Sequence, residues 1–242
     1  MSPRKRPAIA VASVAARYTE IGKKGVALTT AIIGVGNLGG TVARHLVAGD
    51  EPVVLAAADE AHAEALADEL GPNASAASVE DAIAGADAVV LATWLDQTRE
   101  LVPPEARLLE NKVVVDPSNP IGFDENGQMF RTLPEGRSSG SVVAGMLPAS
   151  AHYVKAFGSL GAVEQLATGA NHEPRIVLFY ATDDDTAEAT AQRLIRAAGF
   201  EPLKVGGVSD AGRIEGPDGE FQGRIFDLDE AQAAIANEGV KT

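Results

Sequence analysis

Apolar residues arrive in short, nearly unbroken runs, and between them come stretches whose apolar positions recur every three or four residues. The runs Val26 to Ile33 (VALTTAII), Pro52 to Ala58 (PVVLAAA), Ala88 to Thr93 (AVVLAT) and Lys112 to Val115 (KVVV) predict strands buried on both faces. A strand with one wet face would alternate instead. Leu38, Val42 and Leu46, with Ala43 and Val47 beside them, predict a helix over Gly39 to Ala48. Glu60 to Leu70 is rich in helix formers and closes at Gly71-Pro72. Ser78 to Ala84 predicts a short helix opened by a Ser78 cap. Asp96 to Val102 predicts another, which Pro103-Pro104 should break.

The same alternation continues more loosely. Ser141 to Leu147 reads as a helix, Tyr153 to Phe157 and Arg175 to Ala181 as strands, and Thr186 to Ala198 as a helix fed by Asp183, Asp184 and Asp185, whose charge suits an amino terminus. Pro202 to Val205 is a further strand. A last helix over Leu228 to Asn237 is capped by Asp227 with Glu230 behind it. Ile121 to Gly140 is polar and turn-rich, an irregular excursion from the carboxyl edge of the sheet, where folds of this kind keep their ligands. The pattern therefore predicts an α/β chain: a Rossmann doubly wound parallel sheet with a small C-terminal α/β extension. The expected division is a flexible tail over 1–29, a Rossmann dinucleotide-binding domain over 30–150 and a smaller C-terminal domain over 151–242.

One turn narrows the chemistry. Gly34-Val35-Gly36-Asn37-Leu38-Gly39 follows the first predicted strand and opens the first predicted helix, which is the context that turns a glycine pattern into a pyrophosphate site. Gly34 permits the tight turn, Gly36 lets backbone approach the phosphates, and Gly39 lets helix and strand pack closely. Backbone N–H groups of Asn37 and Leu38 and the positive end of the helix then face the anion. Asp59 stands where an acid commonly holds the ribose 2′-OH of NAD, and no Arg or Lys occurs from Asp50 to Pro72, which argues against a 2′-phosphate. Asp59 is equally placed merely to start the next helix.

Composition changes the picture in three places. The chain of 242 residues carries a formal net charge of −14. Because Arg4, Lys5, Arg6, Arg17, Lys23 and Lys24 oppose only Glu20 near the start, the remainder is more acidic still. Such a body repels phosphate backbones, so no nucleic-acid partner is expected. There is no cysteine, hence no thiol nucleophile and no Cys-based metal site; His45, His62, His152 and His172 show no ligand spacing, so no metal is expected. No apolar run is long enough to span a membrane. Met1 to Arg6 followed by Pro7 to Ala16 has the outline of a secretory signal, but that stretch is Ala and Val without Leu, and a tail on a cytoplasmic protein is the preferred reading.

Five segments complete a pattern. Ala31 to Gly40 (AIIGVGNLGG), Val113 to Pro120 (VVVDPSNP), Val154 to Phe157 (VKAF), and Phe200 to Gly207 (FEPLKVGG) with Ala211 to Glu215 (AGRIE) together resemble the coenzyme F420-dependent NADP oxidoreductase family, in order along most of the stretch from Thr30 to Glu215. The resemblance implies a Rossmann domain with a small C-terminal domain, and hydride exchange between a nicotinamide and a second redox partner in the cleft, with coenzyme F420 among the candidates. Members that use NADP typically place Ser-Arg or Arg-Arg after the second strand, where this chain has Ala57, Ala58 and Asp59, so NADP and NAD both stay open. The segment Gly216 to Gly223 stands where the family has long apolar helices, which leaves homodimerisation open too.

The expected activity is thus an NAD(P)-dependent oxidoreductase acting on a small-molecule partner: deazaflavin, flavin, or a small imine or carbonyl compound. The rival is a non-catalytic dinucleotide-binding or redox-sensing protein, because no catalytic residue declares itself. Thr93, Trp94, Asn119 and Pro120 follow strand ends and so fall where the nicotinamide and its ribose should lie; Trp94 serves equally well as core packing. If the acceptor needs a proton, Lys155, Tyr153 and His152 are the candidates, the plain alternative for Lys155 being a strand-edge lysine in solvent. Gly136-Arg-Ser138-Ser-Gly140 has the letters of a nucleophile elbow, but no apolar strand precedes it, and it reads as a loop.

Overall fold

The computed structural model describes residues 28–238. The tail expected over 1–29, and with it the signal-like outline, lies outside the described residues except for positions 28 and 29. The apolar runs become strands β1 (Thr30–Ile33), β2 (Val53–Ala56), β4 (Ala88–Leu91) and β5 (Val113–Asp116), every residue of them buried. Between them lie α1 (Asn37–Ala48), α2 (Glu60–Leu70), α3 (Val79–Gly85) and α4 (Leu95–Glu105). Beyond these come α5 (Ser139–Ala144), strands β8 (His152–Ala156), β9 (Val177–Ala181) and β10 (Glu201–Gly206), with α6 (Asp185–Ala197) between the last two, and finally α7 (Leu228–Glu238).

The ten strands among the described residues include three short ones that the pattern hid. β3 (Ala74–Ala76) is a half-buried edge strand of three small residues, too brief to write an apolar run. β6 (Ile121–Phe123) and β7 (Met129–Arg131) pair antiparallel as a hairpin inside the excursion expected to be irregular. A helical segment over 162–169 was likewise not predicted.

The main sheet has eight strands in the order β10-β9-β8-β5-β4-β1-β2-β3. Strands after residue 151 extend this sheet rather than building a second one. The expectation of a parallel sheet needs one correction: β8 and β9 pair antiparallel, so β9 and β10 run against the rest. An apolar run carries no mark of direction, so the sequence is blind to this. On one face Ile32, Leu55, Val90 and Val115 pack against α1, α2 and α6; on the other Ile33, Val54, Val89 and Val114 pack against α3, α4 and α5. This is the doubly wound arrangement. A third cluster, in which Phe179, Phe221 and Phe226 meet ring to ring, seats α7 on the β9–β10 end.

Local signals set the helix ends. Ser78, Asp184 and Asp227 each accept a backbone N–H in the first turn of the helix they precede, and Glu230 returns the bond to Asp227, a reciprocal cap. The expected break at Pro103-Pro104 does not occur. Both prolines lie in the last turn of α4, exposed to water, where their fixed φ suits the helix, and the chain tightens into a 3₁₀ turn at Ala106–Leu109.

Asp184 carries a pH prediction. Burial pushes its carboxyl up, but the Ala187 N–H and the His152 ring outweigh this, and the net result is a value below the ordinary carboxylate one. A depressed folded value means that the stabilisation is complete above the ordinary value and is lost as pH falls through the folded one. Asp184→Ala is therefore expected to cost about 1 kcal/mol at pH 7 and much less at pH 3, which urea unfolding at the two pH values would show.

Candidate functional site

The chain leaves β1 for α1, returns through β2 and β3 on one side, and only then crosses to β4 on the other side of β1. The carboxyl ends of β1 and β4 therefore border the crevice where doubly wound sheets bind ligands. The glycine turn sits there. Gly34 has φ +98°, and its N–H donates to the Ala56 carbonyl; a Cβ on it would come within 2.5 Å of the Ala92 carbonyl oxygen and 3.0 Å of Thr93. Gly39 is buried, and a Cβ there would overlap the Gly34 carbonyl oxygen and lie 2.9 Å from the Ala92 Cβ. Gly36 is the opposite case: it is exposed, and nothing lies within 4 Å of where its Cβ would be.

Gly36 is also the N-cap of α1, with no side chain capping the helix and no acid in its first turn. A 12-residue helix thus presents a bare, positively polarised end beneath an open position. These residues fit a dinucleotide pyrophosphate: Gly34 and Gly39 close the turn from below, and Gly36, Asn37 and Leu38 form its outer side.

Ala57, half-buried, and Ala58, exposed, follow β2 and lead to Asp59. Asp59 does cap α2, accepting the Ala61 N–H at 3.2 Å, and its second oxygen stands 3.5 Å from His62. The carboxylate is nonetheless 62% exposed at the crevice side of β2, so capping and contact with a ribose are compatible.

On the β4 side, Thr93 Oγ1 meets Thr98 Oγ1 at 2.8 Å. Trp94 is 55% exposed and so is no core residue; its ring meets Phe123 of the hairpin edge-on, centroids 6.1 Å apart. Beyond β5, the Asn119 side chain donates to the Gly158 carbonyl at 3.0 Å and accepts the Gly216 N–H at 2.9 Å, with Pro120 buried beside it.

The three candidate proton donors part company. Lys155 is not a strand-edge lysine in solvent: it is fully buried on β8, because the sheet continues past it to β9. Its ammonium donates to the Ser118 carbonyl and to Ser139 Oγ, and it faces Asp116 at 3.4 Å and Glu215 at 3.5 Å. Tyr153 donates its phenolic hydrogen to Asp116 at 2.8 Å. Burial pushes the Tyr153 phenol well above its ordinary value, and the Asp116 and Glu215 carboxylates push it the same way. Neither group is positioned to pass a proton to the crevice. His152 begins β8 and pairs with Asp184 at 2.7 Å, at the amino edge of the parallel strands, the edge opposite the glycine turn.

Asp116, Ser118, Ser139 and Glu215 were not singled out one by one from the sequence. A signal existed: the VVVDPSNP, VKAF and AGRIE segments are distant in sequence, and Asp116, Lys155 and Glu215, one from each, converge on a single ammonium. Ser138, the centre of the elbow-like letters, caps α5 by accepting the Ser141 N–H at 3.0 Å. Among the described residues no group of three or more acidic or histidine side chains is placed to hold a metal, and no described helix is long and apolar enough to cross a membrane.

Comparison with known proteins adds the following. Residues 29–120 match the family described as NADP oxidoreductase, coenzyme F420-dependent. A hypothetical protein from Sinorhizobium meliloti is 28% identical, with a TM-score of 0.73, over 82% of this chain and 95% of that one. A protein from Arthrobacter sp. FB24 carrying the name F420-dependent NADP-reductase is 23% identical, with a TM-score of 0.65, over 76% of this chain and 87% of that one. A reductive aminase from Aspergillus terreus, solved with NADPH and ethyl levulinate, shares the fold at 17% identity and a TM-score of 0.56, over 89% of this chain and 63% of that one. No curated protein matches the chain.

Proposed function

We propose that the chain, whose residues 29–120 match the coenzyme F420-dependent NADP oxidoreductase family, is an NAD(P)-dependent oxidoreductase whose second substrate is a flavin or deazaflavin. The observation that carries the reading is the open position over Gly36 at the uncapped end of α1, framed by the carboxyl ends of β1 and β4.

Gly34, Gly36, Asn37, Leu38 and Gly39 hold the pyrophosphate, and Asp59, following Ala57 and Ala58, meets the adenosine ribose. Thr93, Trp94, Asn119 and Pro120 line the nicotinamide end. The bound nicotinamide supplies the hydride. What the chain contributes is orientation and exclusion of water, which suffices when the partner is itself a redox ring. An imine or carbonyl acceptor would also need a proton, and with Lys155 and Tyr153 sealed and His152 on the far edge, a tricyclic hydride acceptor such as F420 is favoured. The same burial of Lys155 and Tyr153 is what favours the second reading, a dinucleotide-binding sensor without turnover.

Calorimetric titration with NADH and NADPH, followed by a panel of F420, flavins and imines, separates these. Turnover with F420 or a flavin supports the proposal, binding without turnover favours the sensor, and binding of neither nucleotide removes both. The Asp59 carboxylate repels a 2′-phosphate, so NADH is expected to bind more tightly than NADPH. In Asp59→Ala the ratio should shift toward NADPH by roughly tenfold, about 1.4 kcal/mol.

A further inference from the structure

The hairpin excursion over 119–138 begins and ends at the same buried cation. Lys155 donates to the Ser118 carbonyl at its entry and to Ser139 Oγ at its exit, and Ser139 Oγ in turn donates to the Ser118 carbonyl at 2.8 Å. Glu215 grips the exit again, accepting the N–H groups of Ser139 and Gly140 at 2.8 Å each. Asn119 fastens the entry through Gly158 and Gly216. All these anchors come from β8, from the turn after it and from the segment after the 3₁₀ helix Val208–Ile214, none from the hairpin itself.

Beyond the clamp the hairpin has a further tie at its base, where Arg131 donates to the Arg137 carbonyl at 2.6 Å and pairs with Asp218 at 3.5 Å, but its tip is exposed. Phe123, Met129 and Phe130 are each about half exposed, and a two-stranded ribbon is marginal by itself. Where its tip rests is decided at its base. The tip matters because Phe123 meets Trp94, which follows Thr93 beside Gly34.

We propose that Lys155 is a positioning residue: its ammonium clamps both ends of the 119–138 excursion and thereby holds Asn119 and the Phe123 contact with Trp94 at the nicotinamide end of the crevice. This assignment rests on the dinucleotide reading only for its consequence in hydride transfer. The clamp itself is a property of the chain. Lys155 does pair with Asp116 on the neighbouring strand β5, at 3.4 Å, but its ammonium also donates to both ends of one excursion, at the carboxyl end of β5.

Trp94 is the only tryptophan of the chain, so its fluorescence reports the tip directly. The test compares the full chain with Ser139→Ala and Lys155→Met, and with Phe123→Ala as the reference for a lost contact. In folded Ser139→Ala and Lys155→Met samples, acrylamide quenching of Trp94 should rise toward the Phe123→Ala level, and amide exchange over 121–131 should quicken by about tenfold. NADH affinity should stay within about threefold of the parent while the hydride-transfer rate falls about tenfold, a loss in kcat rather than KM.

Should Lys155→Met not fold, Ser139→Ala decides, since it removes one tie and leaves the charges paired. Quenching and exchange at parental values in a folded variant overturn the proposal. If the parent binds nucleotide but turns nothing over, quenching and exchange still decide the clamp, and the failure belongs to the proposed reaction alone.

Discussion

Gly36→Ala is expected to keep the melting temperature of the parent while weakening NADH binding by roughly a hundredfold, about 2.7 kcal/mol. The reason is that nothing lies within 4 Å of a Cβ at this position, and the backbone there has φ −68°, which any residue adopts. The methyl group therefore costs the folded chain nothing. It occupies the space in which a phosphate would approach the amino end of α1. Gly39→Ala supplies the contrast. Its methyl would strike the Gly34 carbonyl oxygen and the Ala92 side chain, so it should lower stability by about 3 kcal/mol through overpacking and lose binding as a result of the displaced turn. Thermal melts and calorimetry on both variants test the assignment as a pair. Full NADH affinity in Gly36→Ala would place the nucleotide elsewhere.

The second large effect concerns the buried cation. Lys155→Met should destabilise the fold by about 3–5 kcal/mol, because it leaves Asp116 and Glu215 buried without their counter-charge. Adding Asp116→Asn should return part of that loss, since an amide at 116 can still accept the Ser118 N–H that Asp116 now accepts at 2.8 Å, without a stranded charge. The two substitutions should therefore be strongly non-additive. Urea unfolding of the single and double variants measures the coupling; strict additivity would show that the three groups do not form one network.

The elements that were legible share a property: each is declared by residues next to one another in the chain. α2 runs over Glu60–Leu70 as its composition and the Gly71 stop indicate, and α7 begins after Asp227 with Glu230 returning the cap. The glycine turn belongs to this class, because strand, turn and helix are contiguous and the chemistry uses backbone groups that glycine leaves open. β3 was missed because three small residues on an edge bury too little to leave a pattern, and the β6–β7 hairpin because its apolar side chains are half exposed and lie among polar ones.

By itself, then, the sequence determined the α/β alternation, the position of the glycine turn and the acid at 59, since period, glycine spacing and capping are local quantities. Tertiary structure alone decided that β9 runs against β8, that Lys155 is sealed, and that Tyr153 is spent on Asp116. The physical reason is the same in each case: strand direction and burial are set by which distant segments become neighbours. A lysine reads the same on an open edge as between two strands. Only the arrival of β9 on one side, and of Ser139 and Glu215 above, makes it the buried charge on which the base of the hairpin depends.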